Sequence, residues 1–125
     1  MTMTGPDFIK EVLPHISVID RHEVLDHAAN GAILLDVREP HEYASGHLPG
    51  AVNVSRGVLE FLAPMQPALS NKEAKIVVYC RTGGRAALAT HTLRRMGYAN
   101  AVSMVGGIED WMKENRPTQK PANVC

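Results

Sequence analysis

Cysteine is scarce in this 125-residue chain: there are two, Cys80 and Cys125. With no Cys-x-x-Cys and no paired-ligand spacing, neither a disulfide framework nor a zinc site is expected, and free thiols in a reducing compartment are the default. The six histidines, at 15, 22, 27, 41, 47 and 91, include no i, i+4 pair and stand in no recognised metal motif, so no metal is expected. No apolar run approaches the length of a membrane span, which excludes a membrane partner. The start, MTMTGPDFIK, lacks the basic flank and apolar stretch of a signal peptide, so a cytoplasmic location is expected. Neither sign of charge prevails, with 13 Lys+Arg against 13 Asp+Glu, and this excludes the basic surface that nucleic acid requires.

Hydrophobic residues make up 45% of the chain, enough for one domain spanning residues 1–125 with a real core. Five short β-branched runs punctuate it: ISVID (16–20), AILLDV (32–37), AVNVS (51–55), KIVVYC (75–80) and AVSMV (101–105). Segments of helical spacing lie between them. Asp20 can cap a helix over 21–29 that stops at Asn30-Gly31; a second runs over 85–96 and stops at Gly97; shorter pieces fit 57–62 and 107–114. Alternation of this kind predicts an α/β fold, a five-stranded parallel sheet with helices on both faces. The core is expected over about 14–114. The tail, NRPTQKPANVC, has two prolines and no apolar periodicity, so 115–125 is expected to be loosely held.

In an open parallel sheet, ligands bind outside the carboxyl ends of the strands. The residues that follow the strands here are Asp36 and Arg38, Arg56, then Cys80 with Arg81 and Arg85, then Gly106-Gly107. One edge would therefore carry a thiol and up to four arginines, a locally positive mouth suited to a small anion.

Taken alone, a cysteine ending a strand is more often inert packing than a nucleophile, and Gly-Gly after a strand is usually a turn. Their coincidence at the ligand edge is what points to chemistry. A thiol becomes nucleophilic when its thiolate is stabilised by cations or a helix N-terminus, and Cys80 has both available. If residues 81–84 wrap the sulfur, their N–H groups form an anion cradle, and Gly83 and Gly84 allow the positive φ angles that the wrap needs. An arginine at a helix N-terminus, here Arg85, is unfavourable by roughly 0.3–1 kcal/mol unless offset, which argues for an anion seated beside it.

The pieces LLDVREPHEYASGHLPGAVNV (34–54) and VVYCRTGGRAALATHTLRRMGYANAVSMVGGIEDW (77–111), in this order, resemble a single-domain rhodanese, a sulfurtransferase, over about ninety residues. The Asp-Val-Arg, Gly-His-Leu-Pro-Gly-Ala and Gly-Gly-x-x-x-Trp boxes are each weak and, with the cysteine loop, jointly specific. The resemblance implies a thiosulfate sulfurtransferase without a cofactor. Cys80 would be the nucleophile, Arg81, Thr82, Gly83, Gly84 and Arg85 the rest of a six-position loop, and Arg81 and Arg85 the binders of the donor's oxyanion end. Sulfur would pass from a small anionic donor such as thiosulfate, through a Cys80 persulfide, to cyanide or to a thiol from glutathione, thioredoxin or a partner protein.

Two other classes fit the same thiolate loop. One is a persulfide carrier, sulfur-relay or redox-sensing module with little turnover, for which Cys125 would be a resolving or accepting thiol; as an exposed tail cysteine it would have no such role. The other is a rhodanese-shaped phosphatase or arsenate reductase, whose loop runs Cys, five residues, Arg, whereas here four residues separate Cys80 from Arg85 and Ala86 stands in the longer loop's arginine position. The shorter loop suits one sulfur better than a tetrahedral phosphate. Asp36 and Arg38 are expected to support the edge of the site, Arg56 to reach the pocket or lie on the surface, and His47 to be structural. Trp111 is expected to pack the last helix on the sheet, and Leu59, Phe61, Leu62 and Met65 to form a lip over the mouth or core, with core preferred.

Overall fold

The β-branched runs pair as expected. In the computed structural model, which describes residues 2–121, β1 (Val18–Ile19), β2 (Ile33–Asp36), β3 (Val52–Asn53), β4 (Ile76–Tyr79) and β5 (Ala101–Met104) form one parallel sheet in the order β1-β5-β4-β2-β3. Each strand is shorter than its run. The central β4 is buried along its whole length, with Leu35 opposite Val78 on one side and Val78 opposite Ser103 on the other.

Side chains alternate across a strand, so continuous apolar runs supply two cores at once. Leu35, Ile76 and Val78 face one way, onto Leu59 of α4 (Leu59–Leu62) and Ala86, Ala89 and Leu93 of α5 (Gly84–Arg95). Leu34, Val77 and Tyr79 face the other way, onto Val24 of α2 (Val24–Ala29) and Ile108 and Trp111 of α6 (Gly107–Lys113). Trp111 is fully buried there, as expected. The expected helix over 21–29 begins as a 3-10 turn, Arg21–Glu23, with the Asp20 carboxylate accepting from the His22 N–H. The piece expected over 57–62 is likewise half 3-10, Arg56–Val58, and half α4.

Two helices lie outside the expected set, and each carries a capping signal in the sequence. For α1 (Gly5–Val12), Thr4 and Asp7 make a capping box with Pro6 in the first turn. For α3 (Pro40–Ala44), Glu39 and Glu42 do the same with Pro40. Helix α1 lies against the start of α5 so closely that a Cβ added to Gly84 would sit 2.8 Å from the Ile9 side chain.

Two expectations need correction. Of the apolar residues over 59–65, Leu59 is buried, but Phe61 and Met65 are each 76% exposed and Leu62 is exposed too, because the segment is short turns with one inward face rather than a helix buried on all sides. The tail is not loose as far as residue 119: the Trp111 indole N–H donates to the Pro117 carbonyl at 2.7 Å, and Gln119 exchanges both backbone hydrogen bonds with His47 at 2.9 Å. A segment without periodicity can still be held by its own backbone groups.

The turn between β5 and α6 has the tightest backbone approach. Gly106 and Gly107 both have positive φ, +82° and +66°, and a Cβ on Gly107 would overlap the Arg81 carbonyl and lie 2.7 Å from the Cys80 oxygen. Gly107→Ala should therefore lower Tm by about 5 °C or more, since backbone on both sides must shift. Gly57→Ala, at a position with open space and an ordinary φ, should stay within about 0.5 kcal/mol of the parent. Thermal unfolding followed by circular dichroism checks both.

Candidate active site

Strand β4 ends at Tyr79 and the chain turns at once, so Cys80 stands at the carboxyl edge of the sheet with α5 beginning four residues later. Gly83 takes φ +123°, which a side chain would resist, and this lets the turn curl back over the thiol; Gly84, expected to share that freedom, instead begins α5 with ordinary helical backbone. The Gly83 N–H donates to Cys80 Sγ at 3.1 Å and the Ala86 N–H donates at 3.3 Å. The wrap expected of residues 81–84 is thus shared. One donor comes from the turn and the other from the first turn of α5, whose N–H groups have no partner within the helix. Cys80 is 1% exposed.

The other side of the loop is held by α6. The N–H groups of Ile108 and Glu109 donate to the carbonyls of Cys80 at 2.9 Å and Arg81 at 3.0 Å. The Gly-Gly turn before α6 is what lets these backbones approach. Arg21 secures the far end of the turn, donating to the Val105 carbonyl at 2.7 Å and pairing with Glu114 at 2.9 Å.

The arginines do not form a positive mouth. Arg85 forks onto Glu42, Nη1 to Oε1 at 2.8 Å and Nη2 to Oε2 at 3.2 Å. Arg81, 68% exposed, pairs with Glu109 at 3.1 Å. Arg38 pairs with Asp36 at 2.7 Å, and both are buried. Arg56 is not brought to the loop at all: it reaches Glu60 and the Thr92 hydroxyl, each at 3.3 Å. Thr92 is eight residues along α5 from Gly84, about 12 Å up the helix. Every arginine expected at this edge is matched by a carboxylate, and Glu42 and Glu109 were not among the expected site residues. Glu42 was legible as the third helical residue of a Glu-Pro-x-Glu start, but its partner 43 positions away was not.

The Arg85 guanidinium holds the Glu42 carboxyl at about 2, below its ordinary 4.5, and Glu42 in turn raises Arg85. A carboxyl depressed on folding contributes stability that is fully present above pH 4.5 and is lost as pH falls toward 2. At neutral pH the pair is therefore fully ionised. Asp36 and Arg38 tie the chain after β2 to its surroundings. Asp36 accepts from the Arg38 backbone N–H at 2.9 Å, Arg38 Nη2 donates to the Gly46 carbonyl at 2.7 Å, and Asn53 Nδ2 donates to the carbonyls of both Asp36 and Arg38. His47 is buried, stacked on Tyr43 with ring centroids 4.0 Å apart, its Nδ1 2.7 Å from the Leu48 carbonyl oxygen.

Two cavities flank the loop. One, of about 290 Å³, lies between Arg38, Gly46, Arg81, Ile108, Met112 and Thr118; the other, an apolar groove of about 370 Å³, puts Thr82 and Gly83 against Ile9, Leu13, Val18 and Val105. Among the described residues no three His, Cys, Asp or Glu side chains are grouped to hold a metal, and no helix is long and apolar enough to cross a membrane. Cys125 lies outside the described residues.

Comparison with known proteins places this geometry. A rhodanese-like domain profile matches residues 20–114. Thiosulfate sulfurtransferase 16, chloroplastic, of Arabidopsis thaliana is 34% identical over 113 residues, covering 83% of this chain and 91% of that protein. The human thiosulfate:glutathione sulfurtransferase is 30% identical over 111 residues, covering 81% and 95%. Among solved structures, a Rhodopseudomonas palustris protein of unknown function, described as a possible tyrosine phosphatase, superposes with a TM-score of 0.83 at 26% identity, covering 95% of this chain and 96% of that one. Other relatives are longer: the chain spans only 22% of the adenylyltransferase and sulfurtransferase uba4 of Ogataea parapolymorpha. With the matched profile spanning most of its length, this chain belongs to the rhodanese-like domain family.

Proposed function

We propose that the chain is a sulfurtransferase that moves sulfane sulfur from thiosulfate or a similar small anionic donor to cyanide or a thiol acceptor through Cys80. The observation that carries this reading is the pair of N–H groups converging on Sγ, which can hold negative charge at that sulfur and at one bound beyond it. Relatives at 34% and 30% identity whose names specify thiosulfate as donor support it.

The reaction balances in two steps. The Cys80 thiolate attacks the outer sulfur of thiosulfate, an S–S bond forms to Cys80 as the S–S bond of the donor breaks, and sulfite leaves with the electron pair. Cyanide or a thiolate then attacks the terminal persulfide sulfur and leaves as thiocyanate or a new persulfide, returning the Cys80 thiolate. Arg85, in the first turn of α5, and Arg81 are the cations available to the sulfonate end of the donor, and Thr82, Gly83 and Gly84 shape the wall of the loop. The acceptor could be glutathione, thioredoxin or a partner protein, in a reducing cytoplasm that keeps Cys80 a thiol. Asp36 and Arg38 act through the loop's scaffold rather than on the donor.

A carrier or relay role with little turnover is the second reading, favoured by the carboxylates that already occupy Arg81 and Arg85. The phosphatase reading has less support: four residues between Cys80 and Arg85 leave a cradle in which two N–H groups reach the sulfur.

Intact mass spectrometry after brief exposure to thiosulfate should show a gain of one sulfur on the parent, localised by peptide mapping to Cys80 and removed by cyanide as thiocyanate. Cys80→Ser should neither load sulfur nor turn over while keeping the parent's circular dichroism; sulfur transfer retained in that variant would refute the assignment. Steady-state kinetics of Arg85→Ala should show KM for thiosulfate raised roughly tenfold with a much smaller change in kcat, the loss expected for a charge-assisted contact to a bound anion. An unchanged KM would remove Arg85 from donor binding.

A further inference from the structure

An arginine in the first turn of a helix calls for an anion, and the anion beside Arg85 belongs to the chain itself. Glu42 holds both terminal nitrogens of the Arg85 guanidinium in the fork that a sulfonate or sulfate would use. Resting on the Cys80 reading above, we propose that Glu42 is an internal competitor for oxyanion donors at Arg85, and that it sets how strongly this site discriminates between anionic and uncharged sulfur donors.

Three observations carry this. Glu42 does not depend on Arg85 for its position: its Oε1 accepts from the Glu39 backbone N–H at 3.0 Å, in the capping box that starts α3, so its carboxylate is set beside the loop by local structure. The pair is open to solvent, with 37% of the Arg85 side chain and 22% of the Glu42 side chain exposed, so an ion from solution can reach and displace it. Finally, the neighbouring arginines carry carboxylates of their own, so an anion meets competition at each: Arg81 is paired with Glu109, and Arg38 is buried against Asp36. A dianionic donor must therefore separate an ion pair and face the freed carboxylate. A donor whose leaving group carries no negative charge meets no such competitor.

The test separates anion binding from chemistry by using Cys80→Ser, which cannot take sulfur from a donor. Titration calorimetry with sulfate and thiosulfate would compare Cys80→Ser with Cys80→Ser/Glu42→Gln. Gln keeps the capping acceptor and removes the charge. Both anions should bind roughly three- to tenfold more tightly once Glu42 is neutralised, and adding Arg85→Ala should abolish the gain. In the Cys80-containing enzyme, Glu42→Gln should lower KM for thiosulfate more than for a monoanionic alkyl thiosulfonate. Should Glu42→Gln disturb the fold by circular dichroism, Glu42→Asp, whose shorter carboxylate withdraws from Arg85, should tighten sulfate binding by a smaller factor. Equal or weaker anion binding in the folded variant would overturn the proposal and make Glu42 a residue that positions Arg85 for the donor. Failure of the parent to load sulfur on Cys80 would strike the Cys80 reading alone, because anion affinity is measured on protein that performs no transfer.

Discussion

The loop after β4 is held from two sides by helix N-termini, and the rest of the site depends on that convergence. Helix α5 turns an unpartnered N–H toward the Cys80 sulfur, while α6 turns two toward the carbonyls of Cys80 and Arg81. Each satisfies backbone donors that a helix cannot satisfy internally. The arrangement requires α6 to begin almost in contact with the loop, and only glycine at 107 permits that approach. The fixed N–H dipoles of Gly83 and Ala86 are aimed at the Cys80 sulfur at 3.1 and 3.3 Å.

The same convergence explains why the core is built as it is. A parallel sheet buried on both faces places all its strand ends on one edge, and the alternation of Val77 with Val78 anchors α6 on one face and α5 on the other. Both helices start at that edge, so packing on opposite faces delivers two N-termini to one loop. Membership of the rhodanese-like family and likeness to proteins named as sulfurtransferases agree with a site whose central feature is a single cradled sulfur.

Charge at the mouth is arranged differently from the backbone. Three arginines, Arg38, Arg81 and Arg85, gather near the loop, yet each meets a carboxylate. Paired arginines keep their geometry without repelling one another, and an anion must compete for them rather than merely arrive. The exposed Phe61 and Met65 lie over 59–65, on the α4 side of the sheet, while the apolar groove beside Thr82 and Gly83 is lined on one side by Ile9 of α1.

Strand existence, parallel pairing, the start and stop of α5 and the cysteine loop were all legible in the sequence, because each rests on local signals: β-branched runs, a glycine at positive φ and a strand-turn-helix spacing. Helices α1 and α3 were equally local but short, and their capping boxes are visible at Thr4–Asp7 and Glu39–Glu42 only when read for caps rather than for apolar period. The tail's attachment through Pro117 and Gln119 had no signal, since backbone hydrogen bonds do not depend on side-chain type. The sequence by itself determined the sheet, the thiol at its edge and the glycine at 83 that wraps it. Tertiary structure alone decided that Arg85 faces Glu42, Arg81 faces Glu109 and Arg56 turns away, because an ion pair depends on which elements the fold brings together, and residues 43 and 28 positions apart carry no mark of each other along the chain.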